Sequence, residues 1–231
     1  MSQTIRSKTI KILLADDHGI VRKAIGNLLL TVTDIEVIGE AKDGETAVQM
    51  ALKLEPDVVL MDVMMPGIGG LEATRRILQR NPQVKVIALT ACDEEPFPSK
   101  LLEAGASGYL VKDCELEEMV QAIHKVHSGA RYISPRIAQH LALKSINKTG
   151  NDASPLDQLS SRELQIMMMI TNGQTVKEIA NKLCLSPKTV NSYRYRLFDK
   201  LKIKSDVELT HLAMRYNMLE KDSISTTTTT S

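Results

Sequence analysis

Five side chains fit for phosphoryl chemistry stand at the ends of short apolar runs. Asp16 and Asp17 follow Ile10 to Ala15, Asp62 closes the run from Val58, Thr90 closes the run from Val84, and Lys112 follows Gly108 to Val111. A lone Asp at a strand end is more often a turn former or helix cap than a reactive group. The other four side chains make that reading insufficient, provided that the strands bring all five together. Three clustered carboxylates repel one another, and a divalent cation is the economical neutraliser. Hard oxygen ligands without Cys or His point to Mg2+. On the same ground His18, beside the acidic pair, reads as a helix-start residue rather than a ligand. Lys112 and the Thr90 hydroxyl remain as donors for a tetrahedral anion. A carboxylate beside such a cation, an ammonium and a hydroxyl is equipped to receive a phosphoryl group, because that transfer needs mainly positioning and charge neutralisation.

The elements that must position these groups alternate in type. Strand-like runs at 10–15, 35–39, 57–61, 84–89 and 108–111 are separated by helical patterns, the first carried by Ile20, Ala24, Leu28 and Leu29. Pro96 and Pro98 make the segment after Thr90 a poor helix, either a surface loop or a reshaped output surface. A helix from about Leu116 to Val126 closes this half. Five strands alternating with helices imply a parallel sheet, doubly wound and flavodoxin-like, and right-handed crossovers bring all the carboxyl ends to one edge.

After a short helix opened by Ser134 and Pro135, residues 145–157 lack apolar periodicity and read as a linker. The second half is all-α. Capping boxes at Ser160 and Glu163, Thr175 and Glu178, and Ser205 and Glu208 start three helices, and Ser186 and Pro187 start a fourth. Only Leu183 to Leu185 separates the second of these helices from the third, the spacing of a helix-turn-helix. The third helix puts Val190, Leu197 and Leu201 on a core face, with Lys188, Asn191, Ser192 and Tyr195 opposite. Met167 to Met169 read as core packing, not metal or redox chemistry.

Charge divides the same way. Residues 1–143 hold 16 Lys and Arg against 19 Asp and Glu, net −3, whereas residues 144–231 hold 13 against 9, net +4. The second half is the candidate for a polyanion partner. Neither a membrane span nor a signal-peptide core is expected, which makes the chain cytoplasmic by default. Cys92, Cys114 and Cys184 show neither disulfide-framework nor metal spacing and read as free thiols.

Asp16, Asp17, Asp62 with Pro66 four residues on, Thr90 and Lys112 together resemble the receiver domain of two-component response regulators, over about residues 9–128. The resemblance implies that Asp62 takes phosphate from a histidine kinase. Asp16, Asp17, Asp62 and the Met64 carbonyl would then hold Mg2+, and Thr90 and Lys112 would grip the phosphoryl oxygens. Tyr109 matches the aromatic position that turns inward when the Thr moves. Where many receivers have Pro after the Lys, this chain has Asp113, which leaves that loop looser. The second half is similar to LuxR/NarL/FixJ-type DNA-binding domains through Leu159, Ser160, Arg162, Glu163, Glu178 to Ala180, Thr189, Val190, Lys200 and Leu201. Residues 183–196 and 92–98 narrow the likeness to the GacA/UvrY branch.

What that likeness implies is a regulator, not an enzyme beyond its own phosphorylation. It would answer to a hybrid sensor kinase of the BarA/GacS type, dimerise when phosphorylated, join the nucleoid and act on promoters of small regulatory RNA genes. Its double-stranded DNA contacts would fall on Lys188, Thr189, Asn191, Ser192, Arg194, Tyr195, Arg196 and Lys200, and its dimer contact on Val207, Leu209, Leu212 and Ala213. The expected divisions are a receiver at 9–128, a connecting helix and linker at 129–158, a helix-turn-helix domain at 159–219 and a disordered tail at 220–231. Two other functions compete. A haloacid-dehalogenase-type phosphohydrolase would want a second acid two residues after Asp62, where Met64 stands. A phospho-dependent protein-docking module would not need a basic recognition helix.

Overall fold

The computed structural model describes residues 9–90, 97–147 and 154–216; residues 92–96 of the branch motif and the 220–231 tail lie outside them. Strands β1 (Ile10–Ala15), β2 (Ile35–Ala41), β3 (Val58–Asp62), β4 (Lys85–Thr90), β5 (Gly108–Val111) and β6 (Tyr132–Ile133) form one sheet in the order β2-β1-β3-β4-β5-β6. Every pairing is parallel. All five residues of β3 are buried, as a strand covered on both faces must be. Helices α1 (Gly19–Leu29), α2 (Gly44–Leu54), α3 (Gly69–Arg80), α4 (Phe97–Glu103) and α5 (Leu116–His127) supply the crossovers.

The sheet has six strands rather than five. β6 is only two residues long and stops at Ser134 and Pro135, too short for any pattern, yet it pairs Gly108 with Tyr132 and Tyr109 with Ile133. The poor helix expected after Thr90 is also a correction: α4 forms with Pro98 in its first turn, where a missing backbone N–H costs nothing. In α1 the residues turned inward are Ile25 and Leu29, while Ile20 is 87% exposed and Leu28 47%. The stripe read from the sequence as the pattern of that helix therefore mostly faces water.

Helix α6 (Pro135–Asn147) leads toward the second half, which opens with a 3-10 turn at Pro155–Gln158. That turn was expected to be linker. It carries its own capping box between Ser154 and Asp157, buries Leu156 completely and belongs to the second half's core. Helices α7 (Ser161–Thr171), α8 (Val176–Lys182), α9 (Pro187–Leu201) and α10 (Asp206–Arg215) follow. The boxes at Ser160 and Thr175 close in both directions. At Ser205 only half of one forms, because the Glu208 carboxylate accepts from Lys204 N at 3.0 Å. Met167 to Met169 are all buried, as packing requires. Cys184 adopts φ 52 in the turn between α8 and α9, a left-handed residue that reverses the chain within three positions.

Candidate functional site

The strand order reverses between β1 and β3, so the crevice at their carboxyl ends is where an open α/β sheet offers a site. Register puts Ala15 opposite Met61, Asp62 opposite Leu89 and Thr90 opposite Val111, which aligns the ends. Gly70 lets α3 start against this edge: a Cβ there would lie 1.9 Å from the Asp62 carbonyl oxygen.

Asp16 and Asp62 are 2% and 1% exposed. Lys112 Nζ lies 2.8 Å from Asp16 Oδ2 and 2.9 Å from Asp62 Oδ2, bridging the two. Met64 N donates to Asp62 Oδ1 at 3.1 Å, and His18 N donates to Asp16 Oδ1 at 2.7 Å. Burial pushes the Asp62 carboxyl up to about 6; Lys112 opposes the shift and Asp16 adds to it. Burial would lower the Lys112 ammonium, but Asp62 and Asp16 outweigh it and raise its pKa. Near neutral pH Asp62 is thus mostly a carboxylate held by an ammonium, a competent but restrained nucleophile.

Asp16, Asp17, His18 and Asp62 each bring one ligand atom within 4.8 Å of the others. Three of the four donors are carboxylate oxygens, a set that fits a hard divalent cation. His18 occupies the cap position of α1 without a side-chain cap bond, and its Nδ1 lies 2.9 Å from Asp17 Oδ1. Thr90 and Tyr109 are also buried at this edge. Tyr109 is wholly buried. Arg22, which no motif flagged, donates to the Asp16 carbonyl at 2.6 Å and to Glu40 Oε2 at 2.7 Å, fixing the loop that presents the acids.

The second half rests on the loop that follows Asp62. Gln165 Nε2 donates to the Met65 carbonyl at 2.9 Å, and Gly67 N donates to the Lys182 carbonyl at 3.0 Å. Arg162 donates from Nη1 to the Gly67 carbonyl and from Nη2 to the Leu183 carbonyl, joining that loop to the turn before α9. From α4, Lys100 Nζ donates to the Leu159 carbonyl at 2.6 Å and the Asp157 carbonyl at 3.1 Å. Val63, Leu71, Phe97 and Leu101 share one apolar cluster with Leu156, Leu164 and Met168. No short-range sequence signal marks Gln165 or Lys100, because their partners are main-chain atoms 57 to 100 residues away.

On α9, Lys188, Ser192, Tyr195 and Arg196 are exposed, and Thr189 and Asn191 partly so. Tyr195 is 65% exposed, unusual for a large aromatic side chain without a partner molecule. Two of the expected DNA contacts are otherwise engaged. Arg194 forms a two-pronged pair with Asp206, Nε to Oδ1 at 2.7 Å and Nη2 to Oδ2 at 2.5 Å. Lys200 Nζ lies 2.6 Å from Glu163 Oε2, a carboxylate in a residue only 3% exposed. The expected dimer set divides similarly: Leu209 and Ala213 are wholly buried within the domain, whereas Val207 is 63% exposed and Leu212 partly so. Leu209 and Ala213 are therefore core, and a dimer contact there would need the domain to open.

A receiver-type acidic crevice joined to a helix-turn-helix with an open polar face defines a signal-controlled DNA-binding protein. Residues 12–124 match the response regulator receiver domain, and residues 157–213 match the bacterial regulatory proteins of the luxR family. The chain is 56% identical over 211 residues to the response regulator GacA of Pseudomonas aeruginosa, covering 91% of this chain and 98% of that one. It is 53% identical over 216 residues to the response regulator UvrY of Escherichia coli K12, covering 94% and 99%. RcsB, solved as two dimers bound to two parallel DNAs, aligns at 25% identity with a TM-score of 0.56, covering 90% of this chain and 98% of that one. The chain belongs to the two-component response regulators with a luxR-type DNA-binding domain, and within them to the group of GacA and UvrY. Among the described residues no helix is long and apolar enough to cross a membrane.

Proposed function

We propose that Asp62 is the phosphoacceptor through which a sensor histidine kinase, a hybrid of the BarA/GacS type, controls promoter binding by this chain in the cytoplasm. The observation that carries the reading is the buried Asp62 carboxylate, bridged to the buried Asp16 carboxylate by the Lys112 ammonium at the switch point of the sheet. An Asp62 oxygen attacks phosphorus, the bond from phosphorus to the donor's imidazole nitrogen breaks, and the imidazole leaves as the neutral base after taking up a proton. Lys112 is placed to neutralise the phosphoryl oxygens as charge moves onto them, and the Thr90 hydroxyl to receive one of them. Asp16, Asp17, Asp62 and the Met64 carbonyl would hold Mg2+, which supplies further charge neutralisation when bound. The chain turns over no substrate of its own.

Lys188, Ser192, Tyr195 and Arg196, with Thr189 and Asn191 behind them, are the proposed DNA face. The likeness to GacA, UvrY and RcsB supports this reading, and RcsB's dimers on DNA support a homodimer; Val207 and Leu212, the residues of the expected dimer set left accessible on α10, are its proposed contact. Promoters of small regulatory RNA genes are the proposed targets. Acetyl phosphate with Mg2+ should label the chain once, and Asp62→Asn should abolish both labelling and the gain in DNA affinity. Stoichiometric labelling of Asp62→Asn would overturn the assignment.

A further inference from the structure

The Arg194 guanidinium, only partly exposed, is paired with a carboxylate, and its surroundings form a chain of contacts that ends on the exposed aromatic ring of α9. Asp206, the first residue of α10, takes both prongs of the guanidinium. The guanidinium carbon lies 5.3 Å from the centre of the Phe198 ring. Phe198 in turn meets Tyr195 edge to face, with ring centres 6.4 Å apart and planes at 86°. Positions 194 and 198 are one helical turn apart, and 195 and 198 three residues apart, so α9 itself enforces these neighbours. A bidentate pair fixes the plane of an Arg as a lysine cannot, and an edge-to-face pair fixes the plane of a ring.

We propose that Arg194 is a positioning residue for sequence reading by Tyr195, acting through Phe198 and anchored by Asp206, and is not a phosphate contact. The proposal rests on the DNA-binding reading of α9. Tyr195 has no other described ring partner, and without the Phe198 edge its side chain would sample several rotamers, each of which must be restricted again on DNA. Because Asp206 opens α10, the proposed dimer helix also holds the end of this chain of contacts.

The test uses the full chain treated with acetyl phosphate and Mg2+. The probes are a duplex enriched by the wild-type protein from a random-sequence pool and a shuffled duplex of the same composition. Arg194→Gln, Asp206→Asn and Phe198→Leu should each lower the preference for the enriched duplex by about tenfold. Affinity for the shuffled duplex and its salt slope should stay at the wild-type values, which also reports an intact fold. The Arg194→Gln, Asp206→Asn double variant should lose no more than either single, and Arg194→Lys should not restore the preference. A phosphate contact predicts the opposite: Asp206→Asn would tighten both duplexes, and Arg194→Gln would reduce the salt slope by about one contact. Additive losses in the double variant, or a Phe198→Leu protein with undiminished preference, would also overturn the proposal. If wild type enriches no sequence, the DNA-binding reading itself has failed, a result separate from any of these.

Discussion

Residue types at Asp16, Asp17, Asp62, Thr90 and Lys112 were enough to identify the crevice, because strand ends in a parallel sheet converge whatever the rest of the chain does. Residue type was not enough at Arg194 and Lys200. Both are cations on a basic helix, and nothing local reveals that Asp206 and Glu163 occupy them. Lys200→Ala should therefore act on stability more than on DNA. It leaves the buried Glu163 carboxylate with only its Ser160 contacts, which should cost about 1–3 kcal/mol in thermal unfolding of the full chain while the salt slope of DNA binding is unchanged. A slope reduced by one contact with no loss of stability would show a phosphate role instead. Asp62 gives a second prediction, with a definite sign. An acid whose pKa rises on folding keeps its proton to higher pH than the unfolded chain does. Stability then falls as pH rises from 3.8, the ordinary value, through about 6. With a chelator present, Asp62→Asn should be more stable than wild type at pH 7.5 by up to about 3 kcal/mol, and the gain should vanish near pH 4. A gain independent of pH would mean that burial of the charge is not its cause.

At the scale of elements, strands 1 to 5 and the helices of the second half were legible because periodicity and caps are local. β6 was not, since two residues carry no period and its pairing with β5 is decided by where α5 delivers the chain. The two prolines around α4 hid a helix whose core contacts, through Phe97 and Leu101, come from outside the segment. The same limit applies to α10. Its apolar residues are spread around the helix, and only the packing separates Leu209 and Ala213, turned inward, from Val207, turned out. Val207→Asp should leave the unfolding temperature within a few degrees of wild type and weaken binding to a duplex with two half-sites, because the charge falls on the open face. Leu209→Asp should instead unfold the domain, since it buries a carboxylate without a partner. Equal loss of stability in both variants, measured by thermal unfolding, would place Val207 in the core and remove α10 from the dimer.

For the whole molecule, the division of charge between the halves suggests an electrostatic embrace, but the contacts described are of another kind. Arg162, Gln165 and Lys100 donate to main-chain carbonyls, and an apolar cluster lies between them. Their receiver ends are the loop just past Asp62 and helix α4, both close in sequence to the strand ends that carry Asp62 and Thr90. A latch of this kind can be released by small movements at the phosphoacceptor, because hydrogen bonds to fixed carbonyls are lost over short displacements. Each contact of this type contributes about 1 kcal/mol, so Gln165→Ala or Lys100→Ala should shift the balance of docked and released forms about fivefold, and the pair together about thirtyfold. In the unphosphorylated chain this should appear as a larger radius of gyration by X-ray scattering and as tighter DNA binding, most of all in the double variant. Complete reversal from a 1:99 population needs roughly 5.5 kcal/mol, so phosphorylation should still expand the double variant further. Salt separates this latch from charge attraction. Raising ionic strength should weaken DNA binding steeply yet leave the compact form of the unphosphorylated wild type intact, because its contacts are short, half-buried and partly apolar. If salt alone expands the chain as far as phosphorylation does, the halves are held by their opposite charges and the loop after Asp62 is not the latch.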